Sequence, residues 1–242
     1  MTLGAGAPRT GDEIVAVRRL GFWSSVISAA LSAAYLVMLI TFFGTQGFIF
    51  PPSPVVQVTA GVITFLTAPT LLLVFVAIRE IPGTGGALGT VGVCFAVLFA
   101  AVVCINRFVQ LTVIQQAPAG ANTPDLARFV PYSTGSVMFA LEMLGWGFFI
   151  ALAAIFVAPL FSRGPLQHAI RWTLIAFGVL SLISAIGFVS ATPLTAVGFA
   201  AWGPLLLALA VMLAIFFRTA VPDHQASDRV AASTRRHSVN RS

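Results

Sequence analysis

The sequence predicts an all-α polytopic membrane protein, a bundle of six transmembrane helices. Composition is the first reason, because 58% of the 242 residues are hydrophobic and only 8% are charged, whereas soluble domains have about 25% charged residues. The second reason is six apolar segments, each long enough to cross about 30 Å of hydrocarbon with roughly 20 helical residues. The third is the Pro- and Gly-rich turns between these segments.

The predicted spans follow one another with short connections. They occupy residues 22–43, 55–78, 90–115, 133–161, 168–189 and 194–217. The longest connection, residues 117–131, is rich in Pro, Gly and Asn, and no connection is long enough to fold as a separate domain. Pro204 lies in the middle of the sixth span, where a proline removes one backbone hydrogen bond and predicts a kink.

The residues before and after the spans predict two polar segments. Thr10-Gly11-Asp12-Glu13 fits a capping box within residues 1–21, followed by apolar residues among charges. This pattern predicts either a helix on the membrane surface or a frayed terminus. Residues 218–242 are polar and cannot bury a core, so we expect a disordered tail. Its five arginines are expected to attract anionic lipid headgroups.

The arginines predict the orientation in the membrane. All 13 basic residues are arginine, and the net charge is +6. With both termini in the cytoplasm, eleven arginines fall on the cytoplasmic side and only Arg128 on the other, as the positive-inside rule requires. Most of the arginines flank apolar segments, and they form no stripe with aromatic residues, so a nucleic-acid partner is not expected. The sequence therefore predicts a multi-pass protein of the cytoplasmic membrane with the lipid bilayer as its main partner.

Catalytic and metal sites are not expected. A chain without lysine can form neither a Walker A phosphate loop nor a Schiff base. The histidines, His168, His224 and His237, lie at or beyond the cytoplasmic ends of the spans. Cys94 and Cys104 are ten residues apart, about 15 Å along a helix, which excludes a disulfide between them. We therefore expect no enzyme activity, no metal and no cofactor.

Two charges inside the spans give the candidate site. Arg107 lies about 10 Å from the end of the third span and Glu142 about 12 Å from the start of the fourth. Each charge would cost about 2.5–3.5 kcal/mol at a helix centre, so neither should face lipid alone. Consecutive helices are usually neighbours. The sequence therefore predicts a direct ion pair between Arg107 and Glu142.

Other polar side chains fall at the same depth. Asn106 and Gln110 share a helix face with Arg107. The residues predicted at this depth on other helices are Tyr35, Thr64, Ser184 and Trp202. Together they predict a polar pocket in the outer half of the bundle for an anionic or zwitterionic small molecule. Two alternatives stay open: an ion pair that only joins two helices, or an Arg107 that extends to the surface beside a protonated Glu142.

Part of the sequence resembles a family pattern. Residues 106–113 (NRFVQLTV) and 139–147 (FALEMLGWG) look like a pattern in uncharacterised bacterial multi-helix integral membrane proteins. The resemblance covers the third and fourth spans and implies a bacterial membrane protein with no assigned activity.

Two functional hypotheses follow from these residues. The first is a binder or permease that uses the pocket around Arg107 and Glu142. The second is a structural or regulatory subunit in which these charges hold helices together. A cavity that reaches Glu142 would favour the first hypothesis, and a dry ion pair would favour the second. Both a monomer and an oligomer are compatible with the sequence.

Overall fold

The computed structural model describes residues 11–47, 53–81, 86–114, 128–129 and 135–219. Within these ranges the chain forms six long helices and no β-strand. They are α1 (Gly11–Gln46), α2 (Pro54–Arg79), α3 (Ala87–Val109, continued by the π-helical turn Gln110–Ile114), α4 (Val137–Leu160), α5 (Gly164–Val189) and α6 (Pro193–Thr219). All six helices are long and apolar enough to cross a membrane, which confirms the predicted all-α polytopic bundle.

The bundle buries polar side chains and exposes apolar ones, as a protein surrounded by lipid requires. Val37, Ile105 and Phe108 are more than half exposed on the outer surface, at 64%, 63% and 61%. Ser28 and Ser184, in contrast, are fully buried. The apolar outer surface, together with the six apolar helices, makes the chain a multi-pass membrane protein.

The helices are arranged in sequence order around the bundle. Each helix packs against the next one in the chain, and α6 packs against α1, which closes the bundle. Because successive helices alternate in direction, Gly11 and Thr219 lie at the same end, called here the terminal end. The opposite end, where α3 ends and α4 begins, is called the distal end. Six of the eight described arginines lie toward the terminal end, Arg128 lies toward the distal end, and Arg107 is inside.

The helices begin within four residues of their predicted starts, except α1, which begins eleven residues earlier. α1 runs from Gly11 without a break, so the described part of the predicted N-terminal segment continues the first span rather than forming a separate helix. Arg18 holds this extension to the bundle, because it donates hydrogen bonds to the main-chain carbonyls of Phe217 and Arg218 at the end of α6 (3.2 and 3.3 Å). α4 begins at Val137 because the Ser136 hydroxyl caps its first turn.

Some predictions concern residues that the structure does not describe. Thr10 of the capping box, residues 117–127 of the long connection and the tail from residue 220 onward all lie outside the described residues.

Candidate functional site

Arg107 on α3 and Glu142 on α4 form an ion pair inside the bundle, as the sequence predicted. The Arg107 Nη2 atom donates to Glu142 Oε1, and 2% and 10% of the two side chains remain exposed. Arg107 is the largest of the fully buried side chains among the described residues. Removing one member of such a pair would leave the other charge buried and uncompensated, so each residue depends on its partner.

Two amide side chains extend the ion pair into a closed hydrogen-bond ring. Asn106 Nδ2 donates to Glu142 Oε2 (2.8 Å), and Gln110 Nε2 donates to Asn106 Oδ1 (3.1 Å). Arg107 Nη1 donates to Gln110 Oε1 (2.7 Å). Asn106, Arg107, Gln110 and Glu142 are therefore the four members of one ring, and all four are buried.

The chemistry of the four groups sets the direction of every hydrogen bond in this ring. An ionised carboxylate only accepts, so Asn106 must present its amide N–H to Glu142 and its carbonyl to Gln110. Gln110 then presents its own N–H to Asn106 and its carbonyl to Arg107, whose guanidinium only donates. Each amide thus has one orientation that satisfies both neighbours.

Helix packing brings the ring members together. Gly145 on α4 lies so close to α3 that a Cβ atom there would be 2.8 Å from Val103 Cγ2. Further along the same two helices, a Cβ atom on Gly92 would be 2.4 Å from Val157 Cγ1. Glycine therefore permits the close approach of α3 and α4 that the short side chain of Asn106 needs to reach Glu142.

π-helical turns interrupt three helices, including the two that carry the ring, and the sequence did not predict them. They cover Gln110–Ile114 in α3, Met143–Phe149 in α4 and Ala201–Leu205 in α6. Such turns are rare and often lie at functional sites. The turn in α6 contains Pro204, which cannot donate a backbone hydrogen bond.

The π-helical turn in α4 provides a backbone acceptor for α6. The amide of Ile150 donates to the carbonyl of Gly145, five residues back, instead of that of Trp146. The Trp146 carbonyl accepts a hydrogen bond from Trp202 Nε1 (3.0 Å), which also lies 3.1 Å from the Ser181 hydroxyl on α5. Trp202 therefore links α4, α5 and α6.

Glu142 is the ring member that reaches open space. A cleft of about 280 Å³ lies between α1, α4 and the start of α6, toward the distal end. Its lining residues are Tyr35, Phe139, Glu142, Met143, Pro193, Thr195, Ala196, Phe199 and Trp202. A smaller inner cavity of about 30 Å³, room for about one water molecule, shares Tyr35, Glu142 and Trp202 with the cleft. Glu142 thus lies between two cavities.

The predicted site residues divide into two groups. Glu142, Tyr35 and Trp202 line the cleft, and Thr64 lines the inner cavity, with its hydroxyl hydrogen-bonded to the Ala60 carbonyl of its own helix (2.7 Å).

Asn106, Arg107 and Gln110 form the second group, since they line neither cavity and support Glu142 from behind. Ser184 donates to the Thr195 carbonyl (2.6 Å) and holds the first turn of α6 against α5.

Several lining residues were not predicted from the sequence. Phe139, Thr195 and Phe199 line the cleft, but they are ordinary apolar or turn-forming residues in the sequence. Their only sequence signal is position, because each lies within one or two turns of Glu142 or Trp202 along its helix.

The described residues contain no group of three His, Cys, Asp or Glu side chains that could hold a metal ion. Comparisons of the chain with protein-family models, with curated proteins and with solved structures find no match.

Proposed function

We propose that this chain is a non-catalytic membrane protein that binds or conducts a small molecule through the cleft at Glu142. The observation that carries the proposal is the double role of this side chain. Glu142 is held by hydrogen bonds to both its oxygens, yet it lines a cleft of about 280 Å³. A carboxylate used only to join two helices needs no opening beside it.

The shape and lining of the cleft support this proposal. Ligand sites are concave and mostly apolar, with a few polar groups that fix the orientation of the ligand. Here Glu142, Tyr35 and Thr195 are polar, whereas the other lining residues are apolar or aromatic. The volume is near the lower end of the range of about 300–1,000 Å³ for such sites, so we expect a ligand of modest size.

We further propose that the terminal end faces the cytoplasm and that the cleft opens toward the outer side of the cytoplasmic membrane. The excess of arginine at the terminal end supports this orientation. In this orientation the arginine-rich residues beyond Thr219 would meet the anionic lipids of the cytoplasmic leaflet.

Cysteine labelling tests the orientation first. Cys94 and Cys104 are replaced by alanine, and Ser190→Cys or Ser162→Cys is added as a nearly isosteric probe. Ser190 is exposed at the distal end and Ser162 at the terminal end. In intact cells, a membrane-impermeant maleimide should label the Ser190→Cys variant and should label the Ser162→Cys variant only after the cells are lysed. The reverse result would overturn the orientation.

The same background tests access to the cleft. Phe199 lines the cleft, whereas Phe108, next to the ring residue Arg107, is 61% exposed on the outer surface of α3. A thiol reacts as its thiolate, which requires water. We expect rapid labelling of the Phe199→Cys variant and little labelling of the Phe108→Cys variant. Equal, slow labelling of the two would show that the cleft is dry and would contradict the proposal.

The hydrogen-bond ring favours a second candidate function, a structural subunit in which Glu142 only fixes α3 against α4. The four hydrogen bonds of the ring close among its own members without a ligand. A dry cleft in the labelling experiment, with unfolding after loss of the ring, would support this second function.

A further inference from the structure

We infer that the ligand of the cleft is a monovalent organic cation with an apolar body. This inference rests on the proposed function and names the chemical class of the ligand. It follows from which groups of the site face the cleft and which are buried behind it.

The first step is the charge at the cleft surface. Glu142 lines both the cleft and the inner cavity, whereas Arg107 lines neither and has only 2% of its side chain exposed. Among the described residues that line the cleft none is basic. The ion pair therefore presents its negative member to the ligand and its positive member to the protein, so a ligand in the cleft meets the carboxylate first.

The second step is that Arg107 already has partners for its terminal nitrogens. Nη1 donates to Gln110 and Nη2 donates to Glu142, and Glu142 is the ring member that lines the cleft. An anionic ligand would have to displace a ring member to reach this charge. The sequence favoured an anionic or zwitterionic ligand because it placed Arg107 in the pocket, and the buried position of Arg107 favours the opposite charge.

The third step is the aromatic wall. Tyr35 on α1, Phe139 on α4, and Phe199 and Trp202 on α6 all line the cleft. Aromatic faces attract cations, and cages of aromatic rings are a known way to recognise quaternary ammonium groups. A neutral apolar ligand would gain binding free energy from the rings but not from the charge of Glu142. An anion would be repelled by both the ring faces and the carboxylate.

The fourth step excludes a small inorganic ion as the preferred ligand. Calcium takes six to eight oxygen ligands, and magnesium prefers a full octahedral set. Glu142 is the only carboxylate among the described residues that line the cleft, and most of the lining is carbon. A cation that brings its own apolar body fits this lining better than one that needs an oxygen shell.

Three benzene derivatives of different charge test the inference with the purified full-length chain in nanodiscs of neutral lipid, and the cation and the neutral compound have nearly the same shape. They are benzyltrimethylammonium, its uncharged isostere neopentylbenzene and the anion benzenesulfonate. Tryptophan fluorescence or calorimetry gives each dissociation constant. We expect the cation to bind at least about tenfold more tightly than the neutral isostere, a difference of about 1.4 kcal/mol. The anion should not bind measurably.

Two sets of variants assign the binding to the cleft. Arg107→Gln combined with Glu142→Gln keeps an uncharged ring that can still form hydrogen bonds, so the protein should fold but lose the preference for the cation. Phe199→Leu removes one ring from the cleft wall and should weaken binding of the cation several-fold. Phe108→Leu, the same change on the outer surface of α3, should leave binding unchanged.

The outcomes separate this inference from the proposed function. If the neutral probe binds as tightly as the cation and Phe199→Leu weakens both equally, the cleft binds ligands but the inferred charge is wrong. Preferred binding of benzenesulfonate would also overturn the inference. If no probe binds and the Phe199→Cys variant is not labelled, the proposed function fails together with the inference.

Discussion

Asn106 and Arg107, adjacent on α3, donate to different oxygens of the same carboxylate on α4. Asn106 Nδ2 lies 2.8 Å from Glu142 Oε2, and Arg107 Nη2 donates to Oε1. Successive side chains on a helix point about 100° apart, so Glu142 can satisfy both only if it lies between them. The two hydrogen bonds therefore fix the rotation of α3 about its axis relative to α4.

The effects of removing the two charges of the ion pair on the free energy of unfolding should be strongly non-additive. Arg107→Gln and Glu142→Gln should each destabilise the protein by about 3–5 kcal/mol, because each leaves one buried charge without its partner. The double substitution removes both charges and should recover a large part of this loss. Thermal unfolding of the purified variants in detergent gives the coupling energy. Additive losses would show that the two residues act independently.

Gln110 closes the ring, so replacing it should lower the free energy of unfolding more than replacing a nearby polar side chain. Gln110→Leu leaves Asn106 Oδ1 and Arg107 Nη1 without the partners seen here. We expect a loss of about 1–3 kcal/mol in unfolding free energy. Thr112→Val is the control, because the Thr112 hydroxyl bonds only to the Phe108 carbonyl of its own helix in the observed contacts. A similar effect of both changes would contradict the ring.

Trp202 should contribute to stability through its indole N–H as well as its bulk. Trp202→Phe keeps an aromatic ring but removes the hydrogen bonds to the Trp146 carbonyl and the Ser181 hydroxyl. We expect a lower melting temperature and a destabilisation of about 1–3 kcal/mol. Trp172→Phe should have little effect on the melting temperature, because Trp172 is 64% exposed. Equal melting temperatures of the two variants would contradict this role.

Gly147 should not tolerate a methyl group. A Cβ atom there would lie 2.7 Å from Ala185 Cβ and 3.3 Å from Ala185 Cα, so Gly147→Ala should push α4 away from α5. We expect a destabilisation of about 1–3 kcal/mol, measured by thermal unfolding. Gly44→Ala in α1 has open space around it and should be neutral or stabilise by up to about 1 kcal/mol. A stable Gly147→Ala variant would show that the two helices can separate without cost.

Arg18 should stabilise contact between the first and the last helix. It donates to two carbonyls at the C-terminal end of α6, where the helix dipole also stabilises a cation. Arg18→Met should therefore increase proteolysis or hydrogen exchange at the end of α6. Arg19→Met, the same change at the exposed neighbouring residue, should change neither. If the end of α6 is equally protected from proteolysis and hydrogen exchange in the two variants, the contact does not stabilise it.

The sequence alone predicts most of the fold, because lipid imposes strong rules. A span needs about 20 apolar residues, and a buried charge needs a partner. These rules suffice for six helices and for the pairing of Arg107 with Glu142. The exact start of α1 was harder to predict, since residues 11–21 are charged enough to resemble a surface segment but contain no residue that stops a helix.

The details of the site could not be predicted in the same way. Depth along a helix gives the height of a side chain but not the cavity that it faces, so Arg107 and Glu142 looked equally exposed to a ligand. Their difference comes from the packing of α1 and α6 beside Glu142, which leaves a cleft that is lined by Glu142 and not by Arg107. The π-helical turns have no simple periodic signal either, and of the three in the described residues only the one in α6 contains a proline.

The contact between Arg18 and the end of α6 also has a consequence for biosynthesis. Arg18 and Phe217 are 199 residues apart in the sequence. At a synthesis rate of about 5–20 residues per second, Arg18 is therefore made about 10–40 s before the Phe217 carbonyl that it binds. Until then α1 has only α2, one of the two helices that it packs against, beside it. The contact between α1 and α6, which closes the bundle, can therefore form only after the sixth helix has left the ribosome.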